Sequence, residues 1–147
     1  MAALTLTSSA FADGGRIPQR HTCDGEDVSP PLRWSDPPAE TRSLAIVVDD
    51  PDAPGDVWSH WVVWGIDPSV RELAEGHAGG IEGRNDFGAG GYGGPCPPRG
   101  DEPHRYSFRL YALREEPRLA AGASREELLA AIEEPLAVAE LIGRYGR

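Results

Sequence analysis

Three apolar runs organise the chain. Residues 43–49, SLAIVVD, are apolar at both alternating positions, the pattern of a central strand covered on its two faces. Residues 61–66, WVVWGI, are β-branched and aromatic, and period two sets His60, Val62, Trp64 and Ile66 on one face with Trp61 and Val63 on the other. Residues 105–113, RYSFRLYAL, alternate more cleanly. His104, Tyr106, Phe108, Leu110 and Ala112 form one face, and Arg105, Ser107, Arg109 and Tyr111 form the other. His60 and His104 therefore each begin an inward-facing row.

Helical periodicity is confined to the C-terminal region. Ser124 followed by Glu127 is a capping box, with Leu128, Leu129 and Ile132 making one apolar face. Pro135 then starts a second short helix over residues 135–143, with proline in its first turn. The start, MAALTLTSSAFADGG, contains a small-x-small Ala10-Phe11-Ala12 that mimics a signal cleavage site. It lacks a basic leader and is interrupted by Thr5 and Thr7, so it reads as a first strand without export. SPPL, SDPP and GGPCPP mark turns, and the X-Pro bonds of DPDAP and PCPP are candidates for a cis peptide. Strands followed by helices, without βαβ alternation, predict a mainly β fold.

Length and composition narrow this further. The 147 residues are most simply one domain, 1–147, and 18 Gly with 14 Pro clustered between apolar runs fit a loop-rich β protein. A formal net charge of -10 argues against a nucleic-acid footprint, since the field of the whole molecule repels a polyanion. All fourteen basic residues are Arg, which suits planar carboxylate or phosphate recognition. No apolar run is long enough to cross a bilayer as a helix, and the expected location is the cytoplasm. Cys23 and Cys96 are too few for a disulfide framework and leave a single bridge open.

The candidate chemistry gathers at strand ends. Gly88, Gly90 and Gly93 match a GxGxxG string, yet the following Gly94-Pro95-Cys96-Pro97-Pro98 cannot open a helix, so the run reads as a turning loop whose amides could face an anion. Asp50 and Asp52 flank Pro51 at the end of the first apolar run; a solvated turn is their simplest reading. If the strands share a sheet, His60 and His104 converge with one of these acids. Two histidines and a carboxylate suit a metal, but the spacing is not local, and neither metal nor cofactor is expected. Cys96 with His60 or His104 and Asp50 formally makes a thiol hydrolase, and a His/Asp pair is the other base such a hydrolase of a small ester or phosphoester could use, but PCPP offers no helix N-terminus to activate the sulfur. The favoured reading is noncatalytic: a carboxylate stabilises an imidazolium, which with Tyr106 and loop amides holds a phosphate or carboxylate.

DDPDAP, WSHWVVWGI and GGYGGPCPP followed by HRYSFRLYAL resemble the two signature regions of the phosphatidylethanolamine-binding protein family, in its prokaryotic Raf-kinase-inhibitor-like branch. IPQRHTCDGEDVSPPLRW and GRNDFG extend the resemblance over nearly the whole chain. It implies a Greek-key β-sandwich with a large antiparallel central sheet, short C-terminal helices, and a cavity for phosphate-like anions including phospholipid head groups. Asp50, Asp52, Trp58, His60, Gly94, Pro98, His104 and Tyr106 fall on its ligand-binding positions, while Arg105 points to the opposite face and is structural. The implied roles are regulation or inhibition of a protein partner, a kinase or protease, without catalysis. A homodimer is a further expectation, and Trp34 and Trp61 stand as interface or core residues. Two departures are Pro135, where this branch often has histidine, and RGDEP, which adds two acids beside the cavity loop and weakens anion affinity or selects a cation.

Overall fold

The computed structural model describes residues 3–147; residues 1 and 2, at the head of the expected first strand, lie outside it. Eight strands form two antiparallel sheets. β1 (Leu6–Thr7), β2 (Leu32–Trp34) and β5 (Glu72–Leu73) make a small sheet in the order β1-β2-β5. β3 (Ser43–Asp50), β4 (Trp58–Ile66), β6 (Ile81–Glu82), β7 (His104–Leu113) and β8 (Ala137–Tyr145) make the large one, ordered β6-β4-β3-β7-β8. The single α-helix among the described residues, α1 (Arg125–Ala131), is started by the expected box: the Glu127 amide donates to Ser124 Oγ and the Ser124 amide to Glu127 Oε1, both at 3.1 Å. No helix among the described residues is long and apolar enough to cross a membrane.

Every residue of β3 is buried, because one face meets the small sheet and the other meets the layer under α1. Leu44, Ile46 and Val48 pack with Phe108, Leu110, Trp34 and Leu73 between the sheets, whereas Ala45 and Val47 pack with Val62, Trp64 and Leu128. Burying each of the Val, Leu, Ile and Phe side chains contributes roughly 1.5–3 kcal/mol. Trp34 and Trp61, 4% and 1% exposed, are core residues.

Three expectations are corrected. The row His60, Val62, Trp64, Ile66 does not exist as a row. The pairing of β3 with β4 shifts between Ile46↔Val63 and Leu44↔Ile66, and again between Val48↔Trp61 and Asp49↔Ser59. Each shift inserts one extra residue into β4. Gly65, with φ 71°, adopts the left-handed conformation at the first bulge, and His60 is the extra residue of the second. Val62 and Trp64 consequently face α1, while His60 keeps company with the sheet–sheet face. Residues 135–143 are not a second helix: they enter β8, which pairs with β7 from His104↔Tyr145 to Ala112↔Ala137. Ala139, Leu141 and Tyr145 are buried on alternate positions, so pairing with an available edge outweighs the helix propensity of Ala, Leu and Glu. Among the described residues, finally, no peptide bond is cis.

Candidate functional site

The strand order places three strand ends together. Because β3 lies antiparallel to both β4 and β7, its C-terminal end sits between their N-terminal ends. Asp50 from β3, Trp58 and His60 from β4, and His104 and Tyr106 from β7 thereby surround one cavity of about 290 Å³. Ala53 and Pro54 close one side, and Phe87, Cys96, Pro97 and Pro98 close the other. This volume lies at the small end of ligand pockets and suits a compact head group. A larger, open hollow of about 740 Å³, lined by Glu40, Thr41, Arg42, Arg114 and Glu115 with Ala39 and Pro68, offers no histidine, tyrosine or buried carboxylate.

The two histidines play different parts. His104 Nδ1 donates to Asp50 Oδ2 at 2.7 Å, and its Nε2 lies 3.1 Å from Asp101 Oδ2. Burial works against a charge on this ring, but the hydrogen bonds and charges of Asp50 and Asp101 together outweigh it, so His104 holds its proton above the ordinary histidine range. His60 is also buried, and its Nδ1 donates to the Gly93 carbonyl at 2.7 Å. Burial pushes its pKa down, and the Gly93 bond and the Asp50 charge offset only part of this. His60 therefore presents a neutral ring near pH 7, with Nε2 left without a protein partner among the described residues.

Tyr106 completes the wall. Its ring stands edge-on to His60 at 5.2 Å and stacks with His104 at 6.4 Å. Burial, reinforced by the nearby charges of Asp50 and Asp52, lifts its pKa well above the ordinary phenol range, so the hydroxyl remains a donor. That hydroxyl is buried and has no hydrogen-bond partner among the described residues. A buried polar atom left unpaired costs about 1–3 kcal/mol unless something arrives to satisfy it.

Six of the eight expected residues line the cavity: Asp50, Trp58, His60, Pro98, His104 and Tyr106. Asp52 does not. Its carboxylate accepts from the Arg105 amide, Nε and Nη2 at 2.8, 3.0 and 2.8 Å, and this clasp holds its pKa down to about 2. The turn after Pro51 has rotated it away, and Arg105 is engaged with it outside the cavity. Gly94 is also withdrawn, because its amide donates to Asp27 Oδ1 at 2.7 Å. The Gly93 amide likewise donates to the His60 carbonyl, so neither is free to face an anion.

Cys96 is not a thiol: it is bonded to Cys23 across 73 positions, which removes the nucleophile a cysteine hydrolase requires. Phe87 was not anticipated. It lies edge-on to both Trp58 and His60, at 5.4 and 5.3 Å, and is 48% exposed at the cavity mouth. An aromatic flanked by glycines in NDFGAGG was the available signal.

Comparison with known proteins identifies the family and the fold. The family profile described as phosphatidylethanolamine-binding protein matches residues 7–146. A UPF0098 protein of Methanothermobacter thermautotrophicus is 50% identical, covering 98% of this chain and 99% of that one. A UPF0098 protein of Aquifex aeolicus is 46% identical over 99% of this chain and 90% of its own. Among solved structures, a phosphatidylethanolamine-binding protein homologue from Chlamydia trachomatis superposes with a TM-score of 0.94 at 42% identity, covering 100% of this chain and 99% of that one. E. coli YbcL, described as a member of the mammalian family of that name, gives 0.90 at 36% identity, with 99% of each chain covered.

Proposed function

For a chain that belongs to the phosphatidylethanolamine-binding protein family, we propose that the cavity at the end of β3 binds a small phosphate-like anion, free or as a phospholipid head group. The observation that carries this reading is the buried, unpartnered Tyr106 hydroxyl beside the open Nε2 of His60, with the His104 charge behind them. An anion accepts from Tyr106 and from a protonated His60, satisfying both in one step. His104 contributes field and not donors, because both of its nitrogens are taken by carboxylates.

In this reading the protein is a regulator or inhibitor acting on a kinase or protease and is not a catalyst. The spent Cys96 and the doubly engaged His104 support that, since neither offers a nucleophile or a free base. The proposed compartment is the cytoplasm. The Cys23–Cys96 bridge counts against one in which thiols are kept reduced, and cell fractionation decides the point.

The pH dependence follows from His60. Its pKa is depressed in the free protein, so the ring is neutral at pH 7 and its open Nε2 becomes a donor only as pH falls through its own range. Anion binding favours the protonated ring and must therefore take up a proton. Sulfate, whose charge is constant between pH 5 and 8, is expected to bind more tightly toward pH 5, with about one proton absorbed per ion when calorimetry is repeated in buffers of different ionisation enthalpy. Inorganic phosphate, O-phosphoserine and phosphoethanolamine then distinguish free phosphate from a head group. Absence of binding by all four ligands, or sulfate affinity independent of pH, would overturn the reading.

A further inference from the structure

We propose that Asp101 is a positioning residue of the cavity that acts through His104: it holds the outer nitrogen of the imidazole while Asp50 holds the inner one, keeping the ring charged and fixed beside Tyr106. The proposal deepens the anion-binding reading and rests on it for its functional consequence, though not for the contact itself. One carboxylate would be satisfied by a neutral ring carrying its proton on Nδ1. Two acceptors, one on each nitrogen, are satisfied together only by the imidazolium, because a neutral imidazole has a single N–H.

The contact is built by the chain and is not left to a free surface side chain. The Asp101 amide donates to the carbonyl of Pro98, a residue of the cavity wall, at 3.3 Å, closing the turn Pro98-Arg99-Gly100-Asp101. Gly100, at φ 90°, takes the left-handed position that such a turn needs from its third residue. The same turn is anchored from outside, since the Gly100 amide donates to the Arg147 carbonyl at 3.2 Å and Arg147 Nε donates to the Pro97 carbonyl at 2.8 Å. Asp101 is thus delivered onto His104 by the segment that also forms the cavity wall. The His104 side chain is 6% exposed and that of Asp101 41%, so the pair joins the buried site to the surface.

The charged and titratable neighbours of His104 come from four directions. Asp50 approaches from β3 and Asp101 from the turn, while Tyr106 stacks from its own strand and Tyr145 lies opposite on β8. Asp52 feels the His104 charge but is committed to Arg105. Asp101 is the neighbour whose removal leaves the cavity wall intact while freeing one nitrogen. The negative charge it adds beside the site opposes an anion, whereas the cation it maintains attracts one. Its net effect must therefore change with pH.

Two measurements test this. The first follows the His104 ring protons by NMR through a pH titration of the ligand-free protein. The midpoint is expected to move down in D101N and to return most of the way in D101E, which restores the carboxylate. The second is the sulfate affinity of D101N relative to wild type. It is expected to be about two- to fivefold weaker at pH 7.5, on the scale of a half-exposed ion pair, and equal or tighter at pH 5, where His104 is charged in both proteins. An unmoved His104 midpoint, or a D101N affinity profile that parallels the wild type at every pH, would refute the assignment. If wild-type protein binds none of sulfate, inorganic phosphate, O-phosphoserine and phosphoethanolamine, the anion-binding reading fails, and the NMR midpoint alone judges the hold of Asp101 on His104.

Discussion

The double variant C23S/C96S is expected to unfold about 8–16 °C below the wild type, corresponding to a loss of about 4 kcal/mol. The size follows from loop length. The bridge joins positions 73 apart, close to half of the 147-residue chain, and a cross-link over that span removes much of the freedom of the unfolded ensemble. It also sits where few other forces act, between two irregular segments. Residues 92–98 are otherwise held to residues 21–27 by single hydrogen bonds: the Cys23 amide to the Pro95 carbonyl, the Tyr92 hydroxyl to the His21 carbonyl, and the Gly94 amide to Asp27. Thermal unfolding followed by circular dichroism, with and without a thiol reductant, reads the effect. Reductant should lower the wild-type midpoint toward that of C23S/C96S and leave the variant unchanged. A difference below about 2 °C would mean that the unfolded chain is already confined without the bridge. Because Pro97 remains tied to Arg147, the folded variant should keep its cavity, and its sulfate affinity at low temperature should change much less than its stability.

The strands that build the site were legible because their patterns are dictated by burial. β3 is covered on both faces and reads as a continuous apolar run, and β7 buries one face throughout while Arg105 and Arg109 stay exposed on the other, so it alternates. β4 shows where period-two reasoning stops. Counting from Trp61 cannot reveal that His60 and Gly65 are extra residues, because a bulge depends on the register with β3 and not on the strand's own composition. The same limit applies to β8. Ala, Leu and Glu prefer helix, and only the long edge of β7 decides otherwise. Within the site, Asp50 and Asp52 were indistinguishable in sequence, lying on either side of one proline. The turn sends one to His104 and the other to Arg105. Nor could the Cys23–Cys96 bond be read, since its geometry exists only after residues 23 and 95 have been brought together by the fold. The acids of RGDEP were visible as charge beside the cavity. That Asp101 reaches back to His104 depends on a turn closed by Pro98.

The variant R125M is expected to cost about 3 kcal/mol at pH 7, more than most substitutions of a residue with some solvent contact. Arg125 Nε lies 2.9 Å from Asp49 Oδ1, linking the first residue of α1 to β3, and the Asp49 side chain is only 7% exposed. Burial raises the Asp49 pKa, and the charge and hydrogen bond of Arg125 restrain that rise without cancelling it. Methionine keeps the length of the stem and its packing, so the loss isolates the missing cation. Arg109 cannot readily substitute, being engaged with Glu140 at 3.1 Å. The sign of the pH dependence follows from linkage. An acid whose folded pKa is raised is most favourable to folding below its unfolded value, near 3.9, and loses that contribution as pH rises through the folded value. Removing Arg125 raises the folded value further. The gap between R125M and wild type should therefore be widest at neutral pH and close as the pH falls and Asp49 takes up a proton in both. Urea titrations at pH 7 and pH 4 measure this gap. D49N/R125M, in which no buried charge is left to stabilise, should recover most of the loss at pH 7. A gap of the same width at both pH values would mean that Arg125 acts through packing at the start of α1 and not through the Asp49 charge.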